Sequence, residues 1–313
     1  MPITGERPQR TTLTARFLGA LMRFSPGLAG STTSQLLARQ RRHRRRATRL
    51  GRHTHLRTIG TPSGSLVLRV RTPPAAGPHP IVLHMHGGGW VQGSPRDGDW
   101  MCATIMALTG AVVVSAEYRL GPATVHPGPL DDCLAALEWV SEHAAELDGN
   151  PARIAVLGES AGGNLAAALC LRARDAGGPP IVHQTLLYPA LDATMSSDSY
   201  RTQSTAPILP TAAMQAAWRH HLPAGADRRD PLISPLHAPD LSGLPPATVV
   251  VAGNDPLHDE GVEYAQRLDA AGVPVDFHDF PRMVHGFMNV PRLFSDTTEA
   301  MAKVAAAQRR AFG

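Results

Sequence analysis

The stretch RIAVLGESAGGNLAAALC, residues 153–170, runs from a short apolar segment into an alanine-rich one through Gly158-Glu159-Ser160-Ala161-Gly162. A strand that turns sharply into a helix across G-x-S-x-G exposes its serine at the top of a sheet. Glycines two positions either side of Ser160 let neighbouring elements approach closely enough for that turn to form. The helix that follows directs its first N–H groups and its positive dipole end toward any oxyanion beside the serine.

Upstream, HMHGGGW (84–90) leaves another apolar run through three consecutive glycines. Such a run carries a backbone entropy cost and is expected where the chain needs unusual φ/ψ or where a ligand approaches its N–H groups. Attack by Ser160 on a carbonyl develops negative charge on oxygen, and each fixed backbone donor aimed there is worth about 10²–10³ in rate. Gly88 and Gly89 can offer such donors with no side chain in the way, and Ala161 offers a third. His86 is expected to pack under this turn and hold it by hydrogen bonds.

From about residue 64 the chain alternates short β-branched runs with helical stretches. SLVLRV, IVLHMH, AVVVSAEY, IAVLG, VHQTLLY, ATVVVAG and VDFHDF read as strands, several apolar on both faces. PLDDCLAALEWVSEHAAEL, SAGGNLAAALCLRARDAGG, DEGVEYAQRLDAAG and the C-terminal TTEAMAKVAAAQRRAFG keep helical stripes, with Gly177 and Gly272 where helix ends belong. This order predicts an α/β fold with a mostly parallel central sheet flanked by helices. Residues 1–50 and 191–222 break the rhythm, the latter with helical parts and no strand, and are expected to form two parts of a cap. The core then comprises residues 51–190 and 223–313.

Serine is a weak nucleophile alone and needs a base and an orienting acid, which in this fold follow in the order acid, then histidine. After ATVVVAG comes NDPLHDE, where Asp255 is nearer the strand end and Asp259 and Glu260 read as helix-capping residues. After VDFHDF comes PRMVHGF, where His285 lies in the loop and His278 inside the strand. Asp255 and His285 are therefore the expected partners of Ser160.

With these residues in view, the chain resembles the hormone-sensitive-lipase-like carboxylesterases of the α/β-hydrolase superfamily. HGGGW, EYRL, DDCLAALEWV, GESAGGNLAA, DPLISP, DPLHDEG and VHGF follow one another in the family's order. The resemblance implies an α/β-hydrolase fold with a helical cap and a Ser160, Asp255, His285 triad. It further implies an oxyanion hole of Gly88, Gly89 and Ala161, and short to medium acyl esters as substrates. No cofactor is implied, and a homodimer through the last edge strand is compatible with it. Two departures stand out: Glu159 replaces the family's usual aspartate, and GPATVHPGPLDD (121–132) lacks the usual Pro-Glu. Glu159 and Trp90 are candidate contacts to the substrate pocket, though core or cap packing is the simpler expectation for Trp90, Tyr118, Trp139 and Trp218. An amidase, formamidase or lactonase could use the same triad. A non-catalytic receptor on this fold is disfavoured because all three triad residues are present.

Other chemistries find little support. GGGWVQG places Gly93 one position too late for a dinucleotide fingerprint, and GESAGG lacks the Gly-Lys-Ser/Thr of a phosphate loop. Fifteen histidines show no metal-binding spacing, and Cys102, Cys133 and Cys170 form no CxxC pair. Thirteen arginines and a single acid, Glu6, precede residue 58, so RQRRHRRR (39–46) has the charge for weak contact with an anionic membrane. No aromatics interleave it, so a nucleic-acid partner is not expected. With no run of eighteen apolar residues, and with ARFLGALMRF broken by Arg23, neither a membrane span nor a signal peptide is predicted. A soluble, cytoplasmic protein is the expectation.

Overall fold

In the computed structural model the described residues are 3–5, 30–45, 53–290 and 293–313. Among the described residues, eight strands form one sheet in the order β1-β2-β4-β3-β5-β6-β7-β8. They are β1 (Thr54–Thr61), β2 (Gly64–Arg71), β3 (His79–Met85), β4 (Val112–Ala116), β5 (Gly149–Glu159), β6 (His183–Leu187), β7 (Ala247–Asn254) and β8 (Val275–Val284). Strands β3 to β8 run parallel, while β2 is antiparallel to both β1 and β4. The helices are α1 (Thr33–Arg45), α2 (Asp99–Thr109), α3 (Gly128–Glu142), α4 (Ala161–Ala176), α5 (Ser199–Thr202), α6 (Thr211–His221), α7 (His258–Ala270) and α8 (Asp296–Phe312).

Period-two alternation sorts the central strands between two apolar layers. Ile81, Leu83, Ile154, Val156, Val249 and Val251 pack with residues of α3, α4 and α7. Val82, Ala155, Leu157, Val250 and Ala252 face the other way, onto Met101 and Ile105 of α2 and Met301 and Val304 of α8. Covered on both sides, these strands are largely apolar on both faces, as is usual in a parallel sheet. Helix α4 is buried along nearly its whole length, and alanine lets it sit close to the sheet. It ends at Gly177, whose φ of 63° lets its N–H reach the carbonyls of Ala173 and Arg174.

The expected strands and helices all appear, with two additions. Strand β1 carries a polar sequence, THLRTIGT, and buries only Ile59 fully. An edge strand with one face in water shows little apolar signal, although the Pro62-Ser63-Gly64 turn that pairs Thr61 with Gly64 is a hairpin signature. Helix α2, absent from the helical stretches expected, fills the space over Val113 and ends at Gly110 with φ 68°. Segment 191–222 contains α5 and α6 and no strand. The loops after β3, β5, β7 and β8 all leave from the carboxyl ends of parallel strands, where open α/β sheets bind their ligands.

Candidate active site

Ser160 follows β5 directly and has φ 57° and ψ −119°, a conformation an L-residue holds only when its surroundings impose it. The surroundings are backbone. A Cβ on Gly158 would lie 2.0 Å from the Gly162 carbonyl oxygen, and one on Gly162 would lie 2.0 Å from the Met85 oxygen. Only glycine permits those approaches. The Ser160 N–H donates to the Leu187 carbonyl (2.9 Å), tying the turn to the neighbouring strand.

The structure brings the three residues expected after β5, β7 and β8 into one hydrogen-bonded line. His285 Nε2 lies 2.8 Å from Ser160 Oγ, and His285 Nδ1 lies 2.6 Å from Asp255 Oδ2. The other Asp255 oxygen accepts the Leu257 N–H (3.0 Å), so the carboxylate is held from both sides. Asp255 has no exposed surface, while Ser160 and His285 each keep 8 %. With the carboxylate accepting from Nδ1–H, Nε2 carries a lone pair that can accept the serine proton. The edge of Tyr188 packs against the His285 ring at a centroid distance of 5.0 Å.

The rejected candidates lie elsewhere. Asp259 accepts the Ser199 N–H and pairs with His258, and its carboxyl is held below the usual range, chiefly by that histidine. His278 sits within β8, where burial lowers its pKa.

Gly88, Gly89 and Trp90 all take positive φ, at 119°, 60° and 59°. At Gly88 a Cβ would lie 2.1 Å from the Gln92 oxygen, so the turn requires glycine there. A Cβ on Gly87 would lie 3.5 Å from the Ser160 Cβ, which sets this turn against the serine. The N–H groups of Gly88, Gly89 and Ala161 donate to no described residue.

The turn is anchored from beneath and behind. His86 Nδ1–H donates to the Gly87 carbonyl (2.7 Å), the Tyr118 hydroxyl donates to the His86 carbonyl (2.6 Å), and the two rings stack. Burial lowers His86 to about 4, keeping the ring neutral. Trp90 has no exposed surface; it packs against Trp218 at 4.1 Å and stacks on His221 at 4.5 Å, both from α6. Gln40 of α1 donates from Nε2 to the carbonyls of Val91 (2.9 Å) and Gly121 (2.8 Å). Glu159 is buried beside the turn, with Oε1 accepting the Gly87 N–H (2.9 Å) and Oε2 lying 2.8 Å from His84 Nε2. Gln40, His84 and His221 were not singled out as site residues from sequence, since only the fold brings them to residues tens of positions away.

A sequence profile described as the alpha/beta hydrolase fold matches residues 82–289. The chain belongs to the hormone-sensitive-lipase-like group of this family. This hydrolase is 42 % identical over 261 residues to carboxylesterase NlhH of Mycobacterium tuberculosis, across 82 % of each chain. It is 33 % identical over 249 residues to an ethyl acetate hydrolase of Pseudomonas putida, across 78 % of each. A crystal structure of a thermostable esterase from Pseudomonas putida superposes with a TM-score of 0.86 at 30 % identity, covering 99 % of both chains.

Among the described residues of the hydrolase, no group of three or more histidine, cysteine or acidic side chains is arranged to hold a metal ion. No described helix is long and apolar enough to cross a membrane. All three cysteines are free and buried. The arginine side chains of segment 39–46 lie outside the described residues.

Proposed function

We propose that this hydrolase is a serine carboxylesterase acting through an acyl-enzyme, with Ser160 as nucleophile, His285 as general base and acid, and Asp255 as the group that orients the histidine. The observation that carries this reading is the continuous Ser160–His285–Asp255 line, at 2.8 and 2.6 Å, beside three backbone N–H groups that donate to no described residue. As Ser160 Oγ attacks the ester carbon, its proton passes to His285 Nε2, and Asp255 stabilises the imidazolium that forms. The carbonyl oxygen becomes an anion that Gly88, Gly89 and Ala161 receive. Collapse of the adduct expels the alcohol, which takes the proton from Nε2, and a water activated by the same ring then releases the acid.

The cap belongs to the same proposal. Helix α1 and residues 191–222 wall the acyl pocket and limit the substrate to short and medium chains; residues 6–29 and 46–50 of the expected cap lie outside the described residues. Contact of Gln40 with Val91, and of Trp218 with Trp90, supports placing both segments against the glycine turn. An ethyl acetate hydrolase among the relatives supports small esters.

The test is hydrolysis of p-nitrophenyl butyrate by Ser160→Ala. Turnover is expected to fall on the order of 10⁶-fold, and turnover equal to the parent's would end the proposal. Across p-nitrophenyl acetate, butyrate, octanoate and palmitate, kcat/KM is expected to decline steeply toward palmitate.

A further inference from the structure

Behind the glycine turn lies a buried polar cluster that the steps above do not use. His84 on β3 has no exposed surface. Its Nε2 lies 2.8 Å from Glu159 Oε2 and its Nδ1 lies 3.0 Å from Ser115 Oγ on β4. Ser115 also contacts Cys102 Sγ of α2, at 3.4 Å. A Cβ on Gly98 would lie 2.7 Å from the His84 ring, so the residue capping α2 closes directly over it. Burial disfavours charge on His84, but Cys102 and the Glu159 carboxylate more than offset this and raise it to about 10.

We propose that Glu159 and His84 are a positioning pair that holds the Gly87 amide, and through it the Gly88–Gly89 turn, in the shape that receives the oxyanion. The pair acts on the reaction proposed above and rests on that reading.

Register explains how it is built. His84 pairs with Leu157 across β3 and β5, and with Ser115 across β3 and β4. Glu159 stands two residues beyond Leu157 and so faces the same side of the sheet as His84. Its carboxylate bridges β3 and the residue that leaves it, because one oxygen meets the His84 ring and the other the Gly87 N–H. Glu159 is also bonded in the chain to Ser160. A single side chain therefore fixes the distance between the nucleophile's backbone and the first glycine of the turn. The glutamate that departs from the family's usual aspartate gains a role here. An aspartate carboxylate would stop one methylene short, about 1.5 Å, and could not meet both partners from this backbone.

The experiment compares Glu159→Ala, Glu159→Asp, Glu159→Gln and His84→Ala with the parent on p-nitrophenyl butyrate, each rate divided by the active sites titrated in the acyl-enzyme burst. Per titrated site, Glu159→Ala and Glu159→Asp are expected to lose about 100-fold in kcat with KM within about twofold, as for a small misplacement of reacting groups. Glu159→Gln keeps an oxygen for the Gly87 N–H and is expected to recover most of that loss. The inhibition constant of a trifluoromethyl ketone, whose Ser160 adduct carries an oxyanion, should rise in parallel with the fall in kcat/KM. A purely structural role would lower the titrated fraction and leave kcat per site unchanged. Per-site kcat within about threefold of the parent in both Glu159→Asp and His84→Ala would overturn the proposal, whether or not Glu159→Ala folds. Ser160→Ala in the same series separates the two readings: no parental burst, or activity without Ser160, removes the esterase proposal itself.

Discussion

Two glycine-rich turns meet at Ser160, and they are held in different ways. The turn at 158–163 is fixed by main chain against main chain, with Gly158 on the Gly162 oxygen and Gly162 on the Met85 oxygen. The turn at 86–90 has one such contact, Gly88 on the Gln92 oxygen, but is otherwise held by side chains from other parts of the chain: Tyr118, Glu159 and the α6 ring stack on Trp90, with Gln40 on the next residue, Val91. A turn shaped by backbone contact tolerates no added atom. One held largely by side chains can also be loosened a bond at a time, with Ser160 still in place.

Substitutions can break this contrast in graded steps. The largest effect is expected from Gly162→Val, whose side chain must displace the Met85 and His86 carbonyls. It should destabilise the fold by about 3 kcal/mol or more, seen as a lower midpoint in thermal or urea unfolding. Gly88→Ala comes next. Its φ of 119° and the Gln92 oxygen at 2.1 Å force the turn to re-form, so kcat should fall about 10²–10³-fold with a smaller loss of stability, read from burst-normalised turnover beside the unfolding midpoint. Tyr118→Phe strips the His86 carbonyl of its hydroxyl donor and should cost about 1–2 kcal/mol, with turnover reduced less than tenfold, measured by the same pair of assays.

At neutral pH the smallest change is expected from His86→Gln, which can still donate to the Gly87 carbonyl. Its signature appears in acid. Burial holds folded His86 near 4, below its unfolded value of 6.5, so the unfolded chain binds more protons between those pH values. The contribution of His86 to the parent's stability is therefore complete above about pH 6.5 and is lost as pH falls toward 4. Urea unfolding of His86→Gln across that window should give a slope against pH shallower by about one proton. His183 and His221, lowered by burial to about 4 and about 3, maintain the remaining slope. An unchanged slope would mean that His86 is not held neutral by the fold.

The same contrast accounts for what the sequence made legible. Gly158, Ser160 and Gly162 act on neighbours within a few residues or on the adjoining strand, so five letters in a strand-to-helix setting announce the turn. Asp255 and His285 were readable because each stands just past a recognisable strand, and the helix-opening position of Asp259 separated it from Asp255. Strand β1 gave little apolar signal because its side chains are mostly in water, and pairing with β2 makes it a strand. Glu159 was expected at the substrate pocket, as a neighbour of Ser160 would be. In the structure its carboxylate meets the amide of Gly87 and the ring of His84, 72 and 75 positions back in the chain. No local pattern encodes a partnership of that span. It depends on the register of β3 on β5.

Gln40 carries a practical consequence. Its amide bridges the loops at Val91 and Gly121 from a helix that precedes the entire sheet. Trimming the protein to its first strand would look harmless on a topology diagram, yet it would leave both carbonyls without their donor and slacken the backing of the glycine turn. The shortest dependable version begins before this helix.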